Sequence, residues 1–256
     1  MTRLSANLGF LWVELPLPDA IRAAAAAGFE AVELHWPYVV PAADVKAALD
    51  ETGLPVLGLN TQRGDVRAGD NGLSAIVDRR GEARMYIREA CEYAAAIGCS
   101  NIHVMAGYTD GGDAAEAMFC DNLKYACEVA DKNQQTILIE PLNDRDAPGY
   151  HLNNLDAAVA TVTAVGAPNL KVMFDCYHLE IMQGDLVKRL KAALPHIGHI
   201  QIAAVPDRGE PDEGDLDYKT LLREIDALGW TGFIGAEYKP RDGTDAGLGW
   251  RETVLS

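Results

Sequence analysis

Ile137-Leu138-Ile139-Glu140-Pro141 and Val172-Met173-Phe174-Asp175-Cys176-Tyr177-His178 decide the fold, because each is a short apolar run that ends abruptly in an acid. A run of that length without polar alternation fits a strand buried on both faces, as in a parallel sheet. A carboxylate closing such a strand is costly unless it is paired or binds a metal. Outward from this pair the same unit recurs. Strands are expected at 3–10, 31–36, 55–60, 101–106, 136–142, 171–176, 197–203 and 232–238. Between them lie helical stretches: one from Pro18-Asp19 to Gly28, then 44–52, 79–97, 113–132, 155–165, 185–194, 218–228 and 245–254. Gly28, Gly53, Gly98, Gly166 and Gly229 follow helix ends, where glycine accepts the left-handed turn. Strictly alternating strands and helices imply a parallel α/β sheet. Eight such units in 256 residues fit a single (β/α)8 TIM barrel spanning 1–256. An open doubly wound sheet is the alternative, weakened by the lack of a glycine-rich fingerprint after the first strand. The polar stretch 61–78 is long for a strand-to-helix loop and is expected to act as a lid or binding loop.

Charge narrows the partners. The chain carries 22 Lys and Arg against 38 Asp and Glu, a net charge of −16. The basic residues are scattered, so a phosphate backbone would be repelled and nucleic acid is not expected as a partner. Five cysteines without metal-finger spacing suit a reduced compartment. Asn7 and Glu14 interrupt the first apolar run, so no secretory leader is expected, and no stretch is long enough to span a membrane. A cytoplasmic protein is expected, and a homo-oligomer, dimer or tetramer, stays open.

Barrel chemistry sits at the C-terminal strand ends. Four consecutive ends carry oxygen donors: Glu140, Asp175, Gln201 and Glu237. Three converging carboxylates repel unless one stays protonated or a cation joins them. Four oxygens without thiolate or imidazole suit one hard divalent ion, Mg²⁺ or Mn²⁺. The plainer alternative pairs the acids with Lys171, Arg145 or Lys239 and leaves Gln201 a buried amide. Asn7, Asn60 and Arg63 end strands and are expected as pocket walls. Glu33 and His35 point to one side of their strand, toward the mouth or the barrel layers. His103 and His199 are expected in the core, and His151 near the cleft.

Together, Ile139-Glu140-Pro141-Leu142-Asn143, Asp175-x-Tyr177-His178, Gly198-His199-Ile200-Gln201-Ile202-Ala203, Arg208-Gly209-Glu210-Pro211 and Gly235-x-Glu237-Tyr238-Lys239-Pro240 resemble the hydroxypyruvate isomerase family, which includes 2-oxo-tetronate isomerase. That family belongs to the xylose-isomerase-like TIM barrels. The resemblance implies a metal-dependent aldose–ketose isomerisation of a short sugar acid, with Glu140 and Glu237 both ligands and the acid–base pair. It implies His178 as a donor to substrate oxygen. Arg208 is expected as a clamp on the substrate carboxylate, or as a neutraliser of the acids around it. Ketose 3-epimerases are similar but carry His where Gln201 stands, and a Glu where Asp146 stands. Asp146 is therefore expected as a substrate contact. A ketose 3-epimerase, an inosose-type dehydratase and a non-catalytic sugar-acid binding protein remain rival readings.

Overall fold

The computed structural model describes residues 2–256. Eight parallel strands form the centre: β1 Arg3–Asn7, β2 Ala31–Glu33, β3 Gly58–Asn60, β4 Asn101–His103, β5 Thr136–Ile139, β6 Leu170–Asp175, β7 Ile197–Ile202 and β8 Phe233–Ala236. They pair in the order β2-β1-β8-β7-β6-β5-β4-β3. The ring is drawn together between the two end strands by Val32 N donating to Pro55 O, Leu57 N to Val32 O and Leu34 N to Gly58 O. The result is a nearly closed (β/α)8 barrel, as expected. The strands are shorter than the apolar runs. β5 and β8 stop before their acids, so Glu140 and Glu237 stand just past the ladder, where the chain turns outward.

Among the described residues, ten α-helices pack outside or cap the barrel: α1 Leu17–Ala26, α2 Ala42–Thr52, α3 Arg80–Ile97, α4 Asp113–Asp131, α5 Leu155–Val165, α6 Cys176–Met182, α7 Leu186–Ala193, α8 Tyr218–Ala227, α9 Thr244–Gly247 and α10 Trp250–Leu255. Small buried residues such as Ala20, Ala24, Ala90 and Ala94 let α1 and α3 lie close on the strands. Two differences from the expected helices stand out. α6 starts with no gap after β6, because Asp175 ends the strand and caps the helix, accepting from Tyr177 N at 2.8 Å. The expected helix 245–254 is broken at Leu248-Gly249, and Trp250 turns inward to donate to the Tyr238 hydroxyl.

Polar groups fill part of the barrel interior. Glu33 accepts from Ser5 Oγ at 2.5 Å and from Gln201 Nε2 at 2.8 Å, and lies 3.0 Å from His199 Nε2. Burial would raise the Glu33 pKa, but His199, Ser5 and Gln201 outweigh it and hold the carboxyl low. His199 is raised, Glu33 outweighing its burial. Gly235 makes room for this network, since a Cβ there would lie 2.3 Å from Glu33 Oε1. The 61–78 stretch is fastened: Gly72 bridges to Ala106, Asp65 caps a short turn, and Asp70 pairs with Arg79. His151 is tied to Thr109 and to Glu116 on α4. No helix among the described residues is long and apolar enough to cross a membrane.

Candidate active site

Glu140, Asp175, Gln201 and Glu237 are all buried at the C-terminal mouth, each delivered by its own strand. Asp175 and Gln201 are partners across the β6–β7 register, and Gln201 is opposite Gly235 on β8. Glu237 is fully engaged. Its Oε1 accepts from Asn7 Nδ2 at 3.0 Å and lies 2.8 Å from His35 Nε2, while Oε2 accepts from Arg208 Nη2 at 2.8 Å. The same Nη2 is 3.6 Å from Asp175 Oδ2. By contrast Glu140 Oε1, Asp175 Oδ2 and Gln201 Oε1 are buried without a hydrogen-bond partner among the described residues. Buried polar atoms are almost always satisfied, so three such oxygens at adjacent strand ends set this mouth apart from the rest of the interior. Lys171 donates instead to Pro195 O. Among the described residues neither it nor Arg145 nor Lys239 pairs with these acids, so the plainer alternative is not what is built.

Gln201 can offer only its oxygen. Glu33, an acceptor, takes the amide NH₂ and so fixes which end of the amide is free. A similar argument settles His178. Asn143 N–H donates to its Nδ1 at 3.0 Å, so the neutral ring carries its proton on Nε2. That Nε2 lies 3.7 Å from Asp175 Oδ2. Glu140, Asp175 and His178 each bring one potential ligand atom within 4.8 Å of the others, enough to hold a metal by distance alone. In this tautomer, however, His178 presents an N–H to the site rather than a lone pair. Burial, reinforced by Arg208, lowers its pKa to about 3 and keeps the ring neutral.

Electrostatics separate the three acids. Burial, then Glu237 and Asp175, push Glu140 well above the carboxylate range. Burial also raises Asp175, to about 7, although Arg208 opposes it. Glu237 goes the other way: Arg208 and His35 outweigh its burial and hold it ionised. A divalent cation reverses this logic for buried acids, and the donor set of carboxylate and amide oxygens fits a hard ion.

Arg208 is held in a left-handed conformation at φ 57°, with Lys239 N donating to its carbonyl. Its guanidinium lies between the rings of Phe10 and Tyr177. It does not neutralise the acids of its own loop, since Arg241 pairs with Glu210, Asp212 and Glu213. Asp146 is exposed at the rim, where its Oδ2 accepts from Tyr177 Oη at 2.7 Å and Asn143 Nδ2 at 3.3 Å. Its observed contacts brace Tyr177 and Asn143. The sequence alone assigns no role to Asn143, makes Asn7 a pocket wall and leaves His35 facing the mouth or the barrel layers. The only signal for Asn143 was its place two residues after Pro141.

The xylose isomerase-like TIM barrel family matches residues 21–254. The chain belongs to that family. Within it, the chain is 47% identical to 2-oxo-tetronate isomerase of Cupriavidus necator, covering 100% of this chain and 99% of that one. It is 36% identical to hydroxypyruvate isomerase of Escherichia coli, over 98% and 99% of the two chains. These full-length likenesses place the chain, within the xylose isomerase-like barrels, in the hydroxypyruvate isomerase group, and make it an isomerase. A solved structure titled AP endonuclease, family 2 from Brucella melitensis superposes with a TM-score of 0.95 at 39% identity, covering 99% of both chains.

Proposed function

We propose that the protein is a metal-dependent isomerase of a short 2-oxo sugar acid, interconverting hydroxypyruvate and 2-hydroxy-3-oxopropanoate or acting on 2-oxo-tetronate. One observation carries this reading. Two buried glutamates, Glu140 and Glu237, share one mouth with the unpartnered oxygens of Asp175 and Gln201. The names of the curated relatives supply the substrate class. Glu140, Asp175, Gln201 and Glu237 would hold one Mg²⁺ or Mn²⁺. When bound, that ion draws charge from neighbouring carbonyl and hydroxyl oxygens and acidifies the hydrogen on the carbon between them.

The chain's own groups do the rest. Glu237, kept ionised, takes the proton from C3 of hydroxypyruvate. The electron pair moves onto the C2 carbonyl oxygen to give an enediolate, the C3 hydroxyl proton passes to the C2 oxygen as the C3 carbonyl forms, and Glu140 delivers a proton at C2; return of the abstracted proton from Glu237 to Glu140 resets the pair. Atoms and charge balance without an oxidant. His178 Nε2–H and Arg208 donate to the oxygens that gain charge. Asp146 meets substrate at the rim beside Tyr177. All of 1–256 serves as one domain, and the enzyme works in the cytoplasm on a diffusible acid.

The test is a panel of hydroxypyruvate, 2-oxo-tetronate and neutral ketoses with Mg²⁺- or Mn²⁺-loaded enzyme in D₂O, followed by NMR. Deuterium entering a 2-oxo acid is the expected result. Exchange confined to C3 of a ketose makes the protein an epimerase instead, and no exchange at all makes it a binding protein. An endonuclease reading is opposed by the net charge of −16.

A further inference from the structure

Arg63 stands just past β3 with no acid attached to it. Its guanidinium carbon lies 4.1 Å from the centre of the Trp36 ring, and the residue is half-buried. Among the described residues it makes no ion pair and no side-chain hydrogen bond. Of the three acids in the same loop, Asp65, Asp70 and Asp78, the two nearest in sequence are committed. Asp65 accepts from the backbone of Arg67 and Ala68, and Asp70 takes Arg79 and Asp65 N. The backbone of Arg63 is itself fixed, its carbonyl accepting from Gly72 N at 2.8 Å.

The platform under Arg63 leads straight to the reacting groups. Trp36 donates through Nε1 to Thr61 O and meets the His35 ring edge-on at 4.9 Å. His35 Nε2 is in turn 2.8 Å from Glu237. β3 and β7 are opposite one another in the ring, four steps apart either way in the strand order. The strands that lead into Arg63 and Arg208 therefore stand on opposite sides of the barrel. Arg208 spends its Nη2 on Glu237 and Asp175.

We propose that Arg63, laid flat on Trp36, receives the carboxylate end of the substrate and sets the preference of this mouth for acids over neutral ketoses. The inference rests on the 2-oxo acid reading above. A guanidinium held on an aromatic face keeps its edge N–H groups aligned for a two-point bond to a carboxylate. Arg208 then serves the reacting oxygens, and the substrate lies across the mouth between the two.

The experiment compares kcat and KM on a 2-oxo acid and on the ketose with CH₂OH in place of its carboxylate. It uses wild type, Arg63→Gln, Arg63→Lys and Arg67→Gln, each Mn²⁺-loaded. Arg63→Gln is expected to lower kcat/KM for the acid about 30-fold, mostly through KM, and for the ketose less than about threefold. Arg63→Lys recovers part of the loss, since an ammonium keeps the charge but not the fork. Arg67→Gln removes the same charge from an exposed place in the same loop and should change neither ratio by more than about twofold. Turnover of the ketose by Arg63→Gln shows that the variant is folded. Equal losses on both substrates, or the same loss in Arg67→Gln, overturn the assignment of Arg63 alone. Wild-type enzyme inert on every 2-oxo acid overturns this inference and the functional reading together.

Discussion

Glu140 and Glu237 are one residue type in one mouth, yet their neighbours drive them to opposite protonation states. Glu237 has Asn7, His35 and Arg208; Glu140 has only His103 Nδ1, 3.6 Å away and itself without a hydrogen bond. Each Glu→Gln variant is expected to lower kcat about a hundred- to ten-thousandfold, as removal of an acid–base group does. Their stabilities should diverge. Glu140→Gln removes a carboxyl whose ionisation the site opposes, so metal-free Tm should hold or rise. Glu237→Gln leaves Arg208 short of a counter-charge and should lower Tm. Either variant retaining more than a tenth of the wild-type rate would sink the two-glutamate mechanism. At this scale the acids were legible because an acid at the end of an apolar run is anomalous in any sequence. The tautomer of His178 was not, because it depends on one backbone N–H, that of Asn143, from a neighbouring strand's loop.

At the scale of elements, the strands could be read because burial on both faces leaves unbroken apolar runs. α6 could not, since Asp175 serves as strand end and helix cap at once and no turn residue intervenes. The loop at 61–78 looked like a lid because it is polar and long, but its own aspartates and Gly72 fasten it down. β8 shows how tightly two elements can depend on each other. Gly235→Ala would drive a methyl into Glu33 Oε1, which is backed by Ser5, Gln201 and His199. Overpacking of that kind costs roughly 1–3 kcal/mol. Urea unfolding should show it as a lower midpoint with an unchanged slope; an unchanged midpoint would mean that Glu33 moves aside freely.

Across the whole molecule, buried titratable groups make stability depend on pH in two opposed ways. His178 and His103 have pKa values lowered to about 3 and about 4, burial being the main cause. Below about 6.5 the unfolded chain binds protons that these rings refuse in the fold, so their contribution is present above that pH and falls away toward 3. Asp175, raised to about 7, and Glu140 act in reverse. The fold retains their protons where the unfolded chain has released them, so metal-free stability declines as pH rises from about 4 to 7. A divalent ion competes with those protons, and its effect should grow over the same range. With Mg²⁺ or Mn²⁺ at about a hundred times its dissociation constant, Tm at neutral pH should exceed that in chelator by roughly 5–10 °C, and by less at pH 5. A difference independent of pH would place the ion elsewhere. The barrel itself was readable from the eightfold alternation of elements, whereas these linked protonations arise only when distant strands meet.

The bond from Gln201 Nε2 to Glu33 also bears on how such an enzyme can change over time. The side chain at 201 presents its oxygen only because an acid on β2 claims its nitrogen. A histidine at 201 would meet that acid with different hydrogen-bonding needs, so the exchange is epistatic with position 33. Gln201→His and Glu33→Gln should each impair Mn²⁺ binding, and the double variant should depart from the sum of the two. Lineages that differ at this position would then be separated by a valley two substitutions wide, even where the barrel around it is the same.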